Sequence, residues 1–149
     1  MHTELSIEID APIDQVFAKT NDDVTAWSRT CVDLEVLEER PEVVGSRSRI
    51  TTEDRGQRMD FESVVEEWLP PRRSRVYLTG KAFDIDVTYR FEDLGGRTRV
   101  TQDSTIHGRG GFKLFMALFG WLMKRQGCKA QTEELQSLKA YCETGTPSA

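Results

Sequence analysis

From about Thr30 to His107 the chain reads as one series of β-strands, and everything after it reads as one helical stretch. That order constrains the fold more than any single residue. A long antiparallel meander closed by one C-terminal helix gives a curved sheet wrapped around the helix, and such a sheet encloses a cavity. The strands are recognised by period-two alternation, the mark of a sheet with one face in the interior and one in water. In Phe83-Asp84-Ile85-Asp86-Val87-Thr88-Tyr89-Arg90-Phe91 every odd position is apolar and every even one polar. Thr98, Val100, Gln102, Ser104 and Ile106 form the inner row of the next strand, and Gly95-Gly96 between the two runs marks a hairpin, since glycine accepts positive φ. Met59, Phe61, Ser63 and Val65 alternate in a strand ended by Pro70-Pro71. Val76 and Leu78 belong to the following strand, which Gly80 closes. Val32, Leu34 and Val36 make an earlier strand, Ser48, Ile50 and Thr52 share one side of another, and Leu5, Ile7 and Ile9 lie in an N-terminal one. Seven strands are expected.

Two helical stretches frame them. Asp10-Ala11-Pro12 before Ile13, Val16 and Phe17 reads as a helix start, with proline where its missing N–H costs nothing, and a short turn carries Val24 and Trp27. From about Gly111 to Glu143 there is no proline and an abundance of Lys, Leu, Gln, Glu and Ala. Cys128, Gln131, Leu135, Leu138 and Cys142 recur there at helical spacing and define a face for the sheet.

The 149 residues suit one domain over 1–144, with a loose tail at 145–149. A net charge of −5 argues against a general nucleic-acid binder, which needs a basic face, and Arg72-Arg73-Ser74-Arg75 reads as a solvated turn. Cys31, Cys128 and Cys142 are odd in number and lack metal-like spacing. With no signal peptide in Met1-His2-Thr3-Glu4, a cytoplasmic location is expected. The apolar run Phe112 to Met123 is too short for stable membrane insertion and contains Lys113.

Four segments resemble the START-like helix-grip superfamily, in particular its bacterial polyketide cyclase/dehydrase and lipid-transport branch. They are Ile7-Glu8-Ile9-Asp10-Ala11-Pro12-Ile13-Asp14-Gln15-Val16-Phe17, Val44-Gly45-Ser46-Arg47, Val65-Glu66-Glu67-Trp68-Leu69-Pro70-Pro71-Arg72-Arg73 and Gly95-Gly96-Arg97-Thr98-Arg99-Val100. With Leu135-Gln136-Ser137-Leu138-Lys139 they cover nearly the whole chain, and they mark turns and strand entries, not chemistry. The resemblance implies an α+β fold: a curved seven-stranded antiparallel sheet around a long C-terminal helix, with two short helices between strands 1 and 2. It also implies a ligand cavity between sheet and helix. The inward rows then supply its lining. Ser48, Met59, Phe61, Val76 and Leu78 come from the earlier strands, Phe83, Ile85, Tyr89, Gln102 and Ser104 from the last pair, and Trp27 stands at the mouth. Ser48, Gln102 and Ser104 are the informative members, because an inward polar group must be hydrogen-bonded or wet.

Few titratable groups share that face. Asp84, Asp86 and Asp103 fall in the outward phase and read as solvated carboxylates. His107 is outward too, although Gly108 and Gly110-Gly111 could turn it toward the mouth. Tyr89 and His107 are the only candidates for chemistry, and no cluster has metal-ligand spacing, so neither a metal nor a cofactor is expected. In Phe112–Met123 apolar side chains surround the helix. A straight helix in phase with Leu135 and Leu138 would turn Phe115 and Phe119 away from the sheet and Lys113 and Lys124 toward it. A break near Gly120 or Gly127, a lid over the cavity, a homodimer interface and a membrane contact are the ways out. The residues favour a non-catalytic protein binding a small hydrophobic ligand, such as a lipid, a polyketide-like compound or an isoprenoid or quinone. An aromatase/cyclase or dehydratase is the first alternative, and a quinone or lipid chaperone docking on a membrane or respiratory partner is the second.

Overall fold

The computed structural model describes residues 1–147; of the expected loose tail, Ser148 and Ala149 lie outside the described residues. The elements run β1 (His2–Ile9), α1 (Ile13–Asp22), α2 (Val24–Trp27), β2 (Cys31–Glu38), β3 (Arg47–Asp54), β4 (Gln57–Leu69), β5 (Arg73–Thr79), β6 (Phe83–Asp93), β7 (Thr98–Gly108) and α3 (Gly110–Thr144). All seven strands join one antiparallel sheet in the order β1-β7-β6-β5-β4-β3-β2. Only β1 leaves the sequential meander, pairing with β7 across the chain. The sheet is unclosed, with β1 and β2 at its edges.

Hairpin chemistry sets the register. Gly95 and Gly96 both adopt positive φ, 85° and 88°, a region costly for residues bearing a Cβ, and this fixes Phe91 opposite Val100 and Tyr89 opposite Gln102. In β4 a bulge between Val65 and Glu67 adds one residue against β5. Simple alternation would turn Trp68 outward. The bulge brings it inward opposite Ser74, where its ring packs 5.0 Å from that of Phe17.

The core gathers at one end of the sheet: Ile9, Val16, Phe17, Trp27, Phe91, Val100, Leu135, Leu138 and Cys142 are all buried together. The second half of α3 lies over β1 and is tied down at several points. Ser137 donates to the Trp27 carbonyl, Lys139 Nζ donates to the Glu8 carbonyl at 2.7 Å, and the Asp10 N–H donates to Glu143. The first half lies beyond this core. Phe119 departs from helical geometry (φ −120°, ψ 16°), so α3 bends just before Gly120, where a glycine leaves the turn unsupported. That bend resolves the expected clash of phase. Lys113 and Lys124 are both exposed, at the groove between α3 and the start of β1.

Candidate functional site

The strand registers lay out the concave floor as cross-strand rungs. One rung runs Ile106–Ile85–Leu78–Ser63–Ser48–Val36 and the next Ser104–Val87–Val76–Val65. A third, nearer the core, runs Leu5–Gln102–Tyr89–Ser74–Trp68. The floor is therefore mostly apolar, broken by Ser48, Ser63 and Ser104, with a polar rung nearest the core. Toward β2 it lies open: Val36 and Met59 face the concave side yet are 59% and 37% exposed. Beside them Met59, Phe61, Phe83 and the Lys81–Ala82 turn border a recess of about 210 Å³. Phe61 is buried, and Gly80 beside it admits no side chain, because a Cβ would lie 2.7 Å from the Phe61 ring and 2.6 Å from the Phe83 carbonyl.

An aromatic ladder climbs from this floor onto α3. Phe61 and Phe83 lie 5.7 Å apart between ring centroids, Phe83 and Phe112 5.0 Å, Phe112 and Phe115 6.2 Å, and Phe115 and Phe119 4.9 Å. Phe115 and Phe119 thus continue the apolar floor upward as the lip of a trough, each about half exposed.

The polar rung is where the chemistry concentrates. Gln102 Nε2 donates to the Tyr89 hydroxyl at 2.8 Å, and Gln131, reaching down from α3, donates through Nε2 to the Gln102 backbone carbonyl at 2.9 Å. The carbonyl oxygens Oε1 of Gln102 and Gln131 are both buried and accept nothing. For Gln131 the orientation is dictated, since only the amide nitrogen can donate to a backbone carbonyl, so Oε1 is the atom left without a donor. Gln102 can turn, because a hydroxyl gives or receives a proton equally well. Burial pushes the Tyr89 phenol well up, keeping it protonated and able to donate. Next to this cluster stands Glu134, whose carboxyl burial also raises. Both its oxygens are engaged, Oε2 with the Ser28 hydroxyl and Oε1 with the Arg29 N–H, each at 2.6 Å, so it serves to tie α3 to the α2–β2 corner.

Ser48 and Ser104 lie half-buried on the floor rungs, Val76 and Ile85 likewise, and Leu78 is buried beneath them. Trp27 is not at a mouth. It is 2% exposed in the core, its indole N–H donating to the Thr20 carbonyl, because α2 presses it under α3. His107 stays on the convex face, exposed and stacked on Tyr77 at 6.4 Å, away from the trough. Asp84 is outward as expected but is not solvated. Arg109 Nη2 donates to its carboxylate at 2.7 Å, and the Tyr77 hydroxyl and Gly80 N–H add 2.9 and 3.2 Å bonds. Burial opposes its charge, yet these bonds and the Arg109 cation outweigh it and hold the carboxyl below its usual range. This cluster pins the start of α3 to the β5–β6 turn. Gln131 is the site member that sequence reasoning missed: it was visible as one of the helix residues facing the sheet, but its partner was not. His2, Glu4 and Asp103 bring potential ligand atoms within 4.8 Å on the convex face, where His2 and Arg90 pair with the carboxylates.

A seven-stranded antiparallel sheet gripping a long C-terminal helix, with two short helices between β1 and β2, defines the START-like helix-grip class. Within it, the chain belongs to the polyketide cyclase / dehydrase and lipid transport family, whose model matches residues 1–143. Among solved structures it is similar to a protein from Thermus thermophilus, at 22% identity over 93% of this chain and 91% of that one, with a TM-score of 0.70. It is also similar to an aromatase/cyclase from a Streptomyces species, at 16% identity over 99% of both chains, TM-score 0.69. A START superfamily protein from Mycobacterium smegmatis superposes with a TM-score of 0.66 at 16% identity, over 88% of this chain and 97% of that one. At these identities the likeness is one of fold. No curated protein matches the sequence significantly.

Proposed function

We propose that the protein binds a small hydrophobic molecule carrying a hydroxyl or phenol, laid along the apolar trough with its polar end at Gln131. The buried, unaccepted Oε1 of Gln131 carries this reading. Leaving such an oxygen dry costs ~1–3 kcal/mol, and a donor on the ligand removes that cost. The protonated Tyr89 hydroxyl and the turnable Gln102 amide add one donor and one group of either kind, which suits a hydroxyl better than a carboxylate. The floor rungs of Ile85, Leu78, Val76 and Val87 take the hydrophobic body, and the Phe83–Phe112–Phe115–Phe119 ladder covers its far end.

Catalysis is the weaker reading. Glu134 has both oxygens committed, Tyr89 is a poor base with its proton held on, and His107 stacks on the opposite face of the sheet. Native mass spectrometry of the purified protein, with extraction and identification of any co-purifying molecule, tests the proposal. A bound hydroxylated hydrophobe that is released unchanged supports it. A carboxylated or fully apolar ligand, or one converted during incubation, overturns it.

A further inference from the structure

The first half of α3 presents features that trough binding does not use. Leu114, Leu118 and Trp121 are 65%, 64% and 71% exposed, an apolar stripe of a kind that single soluble chains rarely leave bare. Charge is distributed as unevenly. Between Asp103 and Glu133 the chain has no carboxylate, while Arg109, Lys113, Lys124, Arg125 and Lys129 all fall there, in a protein of net charge −5. Arg109 is taken up by Asp84, but among the described residues the other four make no ion pair. Lys113 and Lys124 border a groove of about 430 Å³ between α3 and the start of β1, lined by Met116, Ala117, Gly120 and Trp121 with Met1 and His2 opposite. Across the groove at the start of β1, Glu4 and Asp103 are already paired with Arg90 and His2.

We infer that this half of α3 docks on an anionic lipid surface, its leucines and Trp121 entering the interface and its four cations meeting the headgroups. An exposed apolar stripe flanked only by positive charge is the pattern of an interfacial helix. The tryptophan at its C-terminal end fits the same depth, since indole settles at the headgroup level. Among the described residues no helix is long and apolar enough to cross a membrane, so the contact is peripheral. Docking there sets the Phe115–Phe119 lip beside the bilayer, the position from which a hydrophobic molecule could pass into the trough. The docking surface is nonetheless independent of the trough and stands or falls alone.

The test is co-sedimentation of the purified protein with phosphatidylcholine vesicles, with and without about one third phosphatidylglycerol, at low and high salt. Binding is expected only to the anionic vesicles and is expected to weaken as salt rises. Each surface cation contributes on the order of fivefold to the partition coefficient, so Lys124→Glu with Arg125→Glu should lower it by more than about tenfold. Trp121 emission should shift to the blue on anionic vesicles, and Trp121→Phe should abolish that shift while circular dichroism stays unchanged. Absence of binding to anionic vesicles, or binding indifferent to the charge reversal, overturns the inference. So does light scattering that finds a dimer which Leu118→Glu dissociates, because a second copy then covers this face.

Discussion

Gln131 Nε2 lies 2.9 Å from the Gln102 backbone carbonyl, a bond that spans from α3 to β7 and leaves the Oε1 atoms of both glutamines without donors. Helix and sheet are joined here by a contact that is only half satisfied. Replacing Gln131 by methionine keeps the volume, removes that bond and removes one orphaned carbonyl. The bond is worth about 1 kcal/mol and the orphan costs about as much, so stability in urea should change by less than ~1 kcal/mol. Affinity for the hydroxylated ligand, or for a fluorescent phenolic probe, should fall about tenfold, or about 1.4 kcal/mol. A large loss of stability with unchanged affinity would make Gln131 a structural residue only.

Leu138 is fully buried where α3 meets β1 and the short helices. Its replacement by alanine should cost ~2–5 kcal/mol, the range for a large apolar side chain removed from a packed core. Chemical denaturation measures this, with the slope on denaturant expected to stay constant.

Much of the architecture was legible because the alternation in β6 and β7 is strict and Gly95-Gly96 sets a single register, from which the floor rungs follow strand by strand. The bulge at Glu66 left no such mark, as two adjacent glutamates fit either phase, so the inward turn of Trp68 depends on the neighbouring strand. Asp84 shows the same limit. Alternation placed it outward, but whether an outward carboxylate is solvated depends on Arg109, 25 residues along the chain, folding back over it. The cluster around Gln131 was readable only in part. Its helix face was visible, whereas an unaccepted oxygen becomes visible only once every neighbour is in place.

The Asp84–Arg109 pair should make the start of α3 sensitive to acid. The carboxyl sits below its ordinary value of 3.8 in the folded state, so its contribution is complete above that value and is lost as pH falls through the folded one. Asp84→Asn removes this contribution at all pH values. At neutral pH it should cost about 1–2 kcal/mol, toward the lower end because Arg109 is half exposed and water can re-solvate it. Hydrogen exchange at residues 110–118 should be faster in the variant than in the wild type at pH 7. The wild type alone should lose further protection there on acidification below about pH 4.

Ser104 faces the concave side between Val87 and Thr3, on the rung next to Tyr89. A phenylalanine there would occupy the trough directly above the polar rung. Ser104→Phe should lower affinity for a hydrophobic probe at least about tenfold, and its thermal unfolding should stay cooperative, since the trough offers room that a closed core would not. Unchanged affinity in the folded variant would take Ser104 out of the binding surface.

Phe115 and Phe119 pack with tilted rings 4.9 Å apart as the last step of the ladder that begins at Phe61, so they bear on entry to the trough. Replacing both by glutamate puts two charges on an apolar lip, and any hydrophobic ligand seated against it would have to desolvate them. Probe affinity should fall at least about tenfold with little change in stability, because both rings are already about half exposed. Light scattering of the same variant discriminates a lip from a subunit interface. An unchanged mass with weakened binding identifies the lip, whereas a halved mass would show that these rings hold two chains together.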